Sequence, residues 1–251
     1  RLLDSLKEDA VYCMQYFRRK TFEDHPSMLK VSAPLEKTYL GHTVYQTLLE
    51  NILSGALPSG VEVSEVALAA ELRVSRTPVH EAVKKLAMDG LLVHESGRRP
   101  RVARLDRAAV AELYEMRSIL ECAAAERAAE RIDLATVREL GRKAEDLEAR
   151  KSGDSDWRKR ALEFDQLFHE AIATAAGSGR LREDIHRYRL LVRAFCRITG
   201  TAENLRAALG EHQTILKALR SRDPAAARKA MAAHISARVG VVLKEAFPEA
   251  R

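Results

Sequence analysis

The sequence has little cysteine, few aromatic residues and no long apolar run. Its 251 residues include three cysteines, and phenylalanine, tryptophan and tyrosine together make up 5%. The cysteines are Cys13, Cys122 and Cys196. Because they are widely spaced and odd in number, they provide neither a disulfide framework nor a CxxC metal motif, which favours a reducing compartment, the cytoplasm. Without a run of about 18 apolar residues, no membrane-spanning segment is expected.

Apolar and charged residues are abundant instead. The chain is 46% apolar and 31% charged, with a formal net charge of +6 and an isoelectric point near 9.3. Its length suits one large or two ordinary domains, and its many Ala, Leu, Glu and Arg residues favour helices. A positive net charge suits a polyanionic partner, although charge alone does not identify one.

The most informative segment runs from Ser64 to Leu91 and predicts a helix-turn-helix. Two short amphipathic helices are separated by a break at residues 73–75. Ser75 is predicted to cap the second helix through its hydroxyl, and Pro78 is tolerated in the first turn. The apolar face of the second helix leaves the following polar residues near its start and on its outer side: Ser75, Arg76, Thr77, His80, Lys84 and Lys85. Such side chains can meet base edges and phosphates.

A β-hairpin with a basic tip is predicted directly after this segment. Residues 91–93 and 101–103 are strand-like, and the turn between them contains Arg98 and Arg99. Together with an amphipathic helix upstream, these features predict a winged helix-turn-helix over residues 42–104. The alternative for the same block is a helical hairpin with a solvated basic face.

The remaining sequence predicts an N-terminal extension and a helical domain. Residues 1–41 are expected to be partly helical, and residues 105–251 to form six antiparallel helices, the fourth of them spanning 179–198. Three aspartates are predicted helix caps: Asp106, Asp133 and Asp223. The predicted fold is therefore mainly α, with an N-terminal winged helix-turn-helix carrying a small β-wing and a C-terminal all-α antiparallel six-helix bundle.

The run from Val74 to Ala82, VSRTPVHEA, resembles the recognition-helix motif of GntR-type bacterial transcription regulators. His80 stands where the family usually has an arginine that commonly reads guanine, and the wing lacks the usual Gly-Arg-Gly. The resemblance implies a homodimer that reads a palindromic operator in double-stranded DNA. The candidate DNA-contacting residues are Ser75, Arg76, Thr77, His80, Lys84, Arg98 and Arg99.

Four polar residues of the predicted bundle form a candidate metal constellation. Asp165 and His169 are four residues apart and so share one helix face, while His212 and His234 lie on the fifth and sixth helices. One carboxylate and three imidazoles suit zinc, nickel or manganese. Taken singly, each residue is more often a surface or structural group.

Residues 105–251 resemble the FCD ligand-binding domain of FadR-like GntR regulators. The specific marks are the run EHQTILKAL at 211–219 and the downstream histidine. The resemblance implies that Asp165, His169, His212 and His234 bind a divalent metal ion, with zinc expected first and nickel or manganese as alternatives. It also implies a small organic acid as effector, for which the candidate residues are Arg117, Arg189 and Arg193.

The sequence therefore predicts a bacterial transcription regulator, expected to be a repressor, whose operator binding is controlled by a carboxylate effector at a metal site. It is not expected to be an enzyme. One alternative is a metalloenzyme built on the bundle, since a metal with an open coordination position can activate water. No general base is evident beside the constellation, however. The other alternative is a direct metal sensor, in which the metal itself is the signal.

Overall fold

The structure is a computed structural model that describes residues 40–150, 155–193 and 195–247, without the side chains of Ser155 and Arg197. The predicted N-terminal extension therefore lies almost entirely outside the described residues. The chain divides into two compact units, Arg1–Arg104 and Leu105–Arg251. None of the described helices is long and apolar enough to cross a membrane.

The first unit is a helix-turn-helix followed by a two-stranded wing. Its elements are α1 (Leu40–Ser54), α2 (Glu65–Leu72), α3 (Arg76–Met88), β1 (Leu92–Val93) and β2 (Arg101–Val102). The strands pair antiparallel, with Leu92 opposite Val102. Both of these residues are buried, while their neighbours along the strands are exposed, so the wing has one face on the core.

The turn between α2 and α3 is made largely by the backbone. Arg73 ends α2 in the left-handed region, with φ of 55°, and its N–H donates to carbonyls of the last turn. Ser75 occupies the N-cap position of α3, but its side chain makes no capping hydrogen bond, so the predicted hydroxyl cap was wrong. The serine is exposed, and water can satisfy its hydroxyl instead.

The second unit is a bundle of helices around one apolar core. Its elements are α4 (Arg107–Arg131), α5 (Leu134–Ala149), α6 (Ser155–Ala175), α7 (Gly179–Arg193), α8 (Cys196–Thr199), α9 (Ala202–Arg220) and α10 (Pro224–Glu245). Helix α10 packs along α4 and α9, and α4 also contacts α6 and α7. The largest fully buried side chains of this core include Trp157, Phe168, Ile172, Leu209, Ile215, Leu219 and Met231.

The three predicted aspartate caps are confirmed. Asp106, Asp133 and Asp223 accept hydrogen bonds from backbone N–H groups in the first turns of α4, α5 and α10, at 2.8, 3.1 and 2.9 Å. Each carboxylate pairs a donor that has no partner within its own helix, which fixes where that helix begins.

The predicted fourth helix, 179–198, is interrupted. Helix α7 ends at Arg193, and the short α8 follows at Cys196–Thr199. The interruption places Cys196 on the wall of a cavity, described below.

Replacing Asp223 by alanine should destabilise the chain, because the cap of α10 is lost. We expect a decrease in the free energy of unfolding of about 0.5–2 kcal/mol, measured by urea denaturation of the full chain. Asp223→Asn keeps a capping oxygen and should retain most of the stability. Equal stability of the wild type and Asp223→Ala would show that the cap contributes nothing.

Candidate metal centre and nucleic-acid interface

The four residues of the candidate metal constellation come together in the second unit. Helix α6 contributes Asp165 and His169 from consecutive turns, α9 contributes His212, and α10 contributes His234. One potential ligand atom from each side chain lies within 4.8 Å of the others. All three histidines are buried, with 1% relative exposure each. We call these four residues the metal cluster.

The donor set of the metal cluster fits a divalent metal ion. Two ligand atoms that are each about 2.1 Å from an ion are roughly 3.4 Å apart in a tetrahedral site and at most about 4.2 Å apart, so the four side chains would close in on a bound ion by roughly an ångström. Both ring nitrogens of His212 and the Nε2 of His169 are buried without a hydrogen bond. Leaving such atoms unpaired costs about 1–3 kcal/mol each, and a cation can use their lone pairs.

Two glutamates stand directly behind the histidines. His234 Nδ1 donates to Glu211 Oε2 at 2.7 Å, and His169 Nδ1 lies against Glu121 Oε2. In both rings this contact occupies Nδ1 and leaves Nε2 for the centre of the metal cluster. Carboxylates in this position commonly fix the tautomer and orientation of a metal-binding histidine.

The electrostatics of the metal cluster favour neutral imidazoles beside an ionised carboxylate. Burial, aided by neighbouring positive groups, lowers the pKa of His212 and His234 to about 3. Burial and the charge of Arg189 also hold the pKa of His169 well below its usual range. Burial by itself would raise the pKa of Asp165, but Arg189 and the three histidines hold that pKa far below its usual range. These are the protonation states that metal binding needs.

A cavity of about 80 Å³ adjoins the metal cluster, with room for several water molecules or a small organic molecule. Asp165 and His234 reach its wall, and 32% of the Asp165 side chain is exposed. Cys196 also lines it, so this cysteine is not the simple core residue that its apolar sequence context suggests. Burial raises the pKa of Cys196 to about 11, which keeps the thiol protonated.

Four arginines line this cavity: Arg117, Arg189, Arg193 and Arg238. Three of them pair with carboxylates: Arg117 with Glu121 at 2.7 Å, Arg189 with Asp165 at 2.6 Å and Arg238 with Glu211 at 2.8 Å. Arg193 is exposed and forms no ion pair with a carboxylate among the residues that the structure describes. Four guanidinium groups against three carboxylates leave one positive charge, and a divalent ion would add two more. The cavity therefore suits an anion.

The first unit presents a basic, exposed surface at the start of α3 and at the wing. All seven sequence-predicted DNA contacts are exposed: Ser75, Arg76, Thr77, His80, Lys84, Arg98 and Arg99. His80 Nδ1 lies 3.0 Å from Glu65 Oε1, so the carboxylate of Glu65 on α2 holds the imidazole ring in its orientation. Arg98 pairs with Glu95 at 3.0 Å within the wing. The opposite face of α3 is buried through Val79, Ala82, Val83 and Leu86.

Both parts of the chain match known families. Residues 40–102 match the family described as "Bacterial regulatory proteins, gntR family", and residues 112–237 match the FCD domain. The gluconate operon transcriptional repressor of Bacillus subtilis (strain 168) is 30% identical over 213 residues, which cover 80% of this chain and 84% of that protein. The chain belongs to the GntR family of bacterial transcription regulators.

Further relatives agree with this assignment. The HTH-type transcriptional repressor RspR of Escherichia coli (strain K12) is 27% identical over 203 residues, 76% of this chain and 84% of that protein. The solved structure of E. coli McbR/YncC has the same fold, with a TM-score of 0.66 and 23% identity over 83% of this chain and 99% of that one. GntR regulators bind DNA and are not enzymes, so the metalloenzyme alternative is not supported.

Sequence reasoning missed three residues around the metal cluster: Glu121, Glu211 and Arg238. Glu121 lies four residues after Arg117 on α4, and Arg238 lies four residues after His234 on α10, so each of these two shares a helix face with a residue that was predicted. That spacing was the available signal. All three residues predicted to bind the effector line the cavity. Arg117 and Arg189 are already paired with carboxylates.

Arg76→Ala should weaken specific operator binding by the GntR regulator. Arg76 is exposed at the first position of α3, where the loss of one bidentate base contact costs about 1–3 kcal/mol, or roughly 5- to 150-fold in affinity. Gel shifts at fixed salt, with circular dichroism to verify the fold, measure the effect. Arg138→Ala, which removes an exposed arginine from α5, is the control for net charge. Wild-type affinity in Arg76→Ala would contradict the assignment.

The metal-free protein should lose stability as the pH falls below about 6.5. The pKa values of the buried histidines are lower in the folded chain than in the unfolded chain, so the unfolded chain binds more protons in this range. Above about pH 6.5 the neutral histidines make their full contribution to the free energy of unfolding. His212→Leu should reduce the slope of the free energy of unfolding against pH between pH 6.5 and 5. The reduction is up to about 1.4 kcal/mol per pH unit, which corresponds to one proton taken up on unfolding.

Urea denaturation in the presence of a chelator, at a series of pH values, measures this slope. His186→Leu, which replaces an exposed histidine of α7, is the matched control. If the wild type and His212→Leu have the same slope, the imidazole of His212 does not pass from neutral to charged on unfolding.

Proposed function

We propose that this GntR regulator is a repressor whose binding to a palindromic operator is controlled by a small carboxylate. The effector would occupy the cavity beside a metal ion held by Asp165, His169, His212 and His234. The observation that carries the proposal is the opening of the buried metal cluster, through Asp165 and His234, onto a cavity lined by arginines.

The metal ion would give the cavity a strong anchor for an anion. Zinc is expected first, with nickel or manganese as alternatives, because imidazole and carboxylate ligands suit all three. When bound with an open coordination position, such an ion acts as a Lewis acid toward a carboxylate oxygen. The four protein ligands come from α6, α9 and α10, so the ion would also link three helices of the bundle.

Arginines that line the cavity would orient the effector. Arg193 is the best placed to take up a new carboxylate, because it is exposed and forms no ion pair among the described residues. Arg117 and Arg189 would contribute positive potential, and a direct bond from either requires it to share its present carboxylate partner. Bidentate pairing with a guanidinium favours a planar carboxylate over other small anions.

Control of DNA binding requires that the effector bind two arrangements of the protein with different affinity. In a homodimer, two α3 helices about one DNA turn apart would read the two halves of the operator. A change in their spacing would release the DNA. The relatives named as repressors support relief of repression as the mode of action. From a DNA target we infer that the protein acts in the bacterial cytoplasm.

The test combines elemental analysis, thermal shift and gel shift on the full chain. Wild-type protein should retain a divalent metal ion, and its melting temperature should rise with a small carboxylate from a panel such as acetate, lactate and succinate. Ligand at a hundredfold excess over its dissociation constant stabilises by about 2.7 kcal/mol. His212→Ala should lose the metal and the carboxylate response but keep its intrinsic contacts to DNA, since the first unit contains none of the ligands.

His186→Ala, which removes an exposed histidine, is the control and should behave as wild type. Protein that takes up no zinc, nickel or manganese, with His212→Ala as stable as wild type, would contradict the metal site. Operator release by added metal alone, with no carboxylate effect, would favour the direct metal sensor.

A further inference from the structure

Two chains of the form arginine–glutamate–histidine join the metal cluster to the cavity wall. In the first, Arg117 Nε donates to Glu121 Oε1 at 2.7 Å, and Glu121 Oε2 lies against His169 Nδ1. In the second, Arg238 Nη2 donates to Glu211 Oε1 at 2.8 Å, and Glu211 Oε2 accepts from His234 Nδ1 at 2.7 Å. Each glutamate thus has one oxygen against a histidine nitrogen and the other bonded to an arginine.

We propose that Glu121 and Glu211 are positioning residues of the metal centre, and that Arg117 and Arg238 make this positioning depend on the state of the cavity. This inference rests on the proposed metal site. It adds a second layer of residues to that site and a physical route by which the cavity acts on the metal.

In this geometry a carboxylate can accept a hydrogen bond from both neighbours, one at each oxygen. Histidine Nδ1 and the guanidinium are both donors, so the bridging group needs an acceptor at each end. Glutamine at the same position presents one acceptor and one donor, and it can satisfy only one of the two. The charge and both oxygens of Glu211 are therefore required for the chain to be complete.

The contact at Nδ1 decides which nitrogen faces the metal. When Glu211 accepts a hydrogen bond from His234 Nδ1, the free lone pair of the neutral ring lies on Nε2. The ring is held in that orientation and its basicity rises, which strengthens metal binding. Glu121 Oε2 lies against the same nitrogen, Nδ1, of His169.

Stability alone does not account for these buried charges. The side chains of Arg117 and Glu121 are 3% and 2% exposed. Buried ion pairs are often no more stable than apolar residues of the same volume, because the charges lose their hydration. A positioning role explains why charged side chains occupy a place in the bundle that apolar side chains could fill.

The arginines of both chains also line the cavity. An anion that draws Arg117 or Arg238 toward itself weakens the bond that this arginine makes with its glutamate. The glutamate then holds its histidine differently, and the affinity for the metal changes. By thermodynamic reciprocity, the metal alters the affinity of the cavity for the anion by the same factor.

The experiment measures the zinc affinity of the full chain by competition with a chelator of known affinity. Glu211→Gln should weaken zinc binding by about 10- to 100-fold. Glu203→Gln, which makes the same chemical change at an exposed position of the same helix, is the control and should bind zinc as wild type does. Equal zinc affinity in Glu211→Gln and Glu203→Gln overturns the positioning role.

A double-mutant cycle tests the link to the cavity. Arg238→Met removes the guanidinium from Glu211 and so stands in for an anion that draws it away. It should change the zinc affinity when Glu211 is present and have little further effect in Glu211→Gln. The visible spectrum of the cobalt-substituted protein should shift in both single variants. No change in zinc affinity or cobalt spectrum in Arg238→Met, or strictly additive effects, overturns the link.

Nuclear magnetic resonance of the metal-free protein gives a reading that does not depend on zinc. The ring of His234 should be neutral with its proton on Nδ1, and Glu211→Gln should alter that tautomer or expose the proton to exchange, whereas Glu203→Gln should not. The opposite tautomer in wild type overturns the inference even if zinc binds. Wild-type protein that binds no zinc contradicts the proposed function, while the tautomer still decides the role of Glu211.

Discussion

The burial of three imidazoles at one point of the helical bundle is the constraint on which the FCD unit depends. Neutral rings of His169, His212 and His234 can be buried, but nitrogens of His169 and His212 then lack the partners that water would provide. Carboxylates, arginines and an ion are the groups that can satisfy them. The charged residues of the interior are therefore connected to one another, from α4 and α7 through α6 to α9 and α10.

The two units of the chain use charge in opposite ways. In the DNA reader, cations such as Arg76 and Lys84 stay exposed, where they can neutralise phosphate and meet base edges. In the FCD unit, arginines are paired within the bundle, and the net positive potential is directed into a small cavity. Positive residues thus face solvent in the DNA-binding unit, whereas in the FCD unit several of them line an internal cavity.

The cavity is the place where these internal charges become accessible. Asp165, with a partly exposed carboxylate, belongs both to the metal cluster and to the cavity wall, and its ion pair with Arg189 joins α6 to α7. A molecule that enters here meets the metal ligands and the arginines together.

The sequence by itself determined the features that depend on near neighbours along the chain. The helix-turn-helix, the wing, the caps at Asp106 and Asp223 and the shared face of Asp165 and His169 all follow from local propensity and helical spacing. Only the tertiary structure placed Glu121 behind His169, 48 residues later, and ended the fourth helix at Arg193. Such contacts depend on how helices pack and which rotamers their buried charges adopt, and no pattern confined to one helix specifies them.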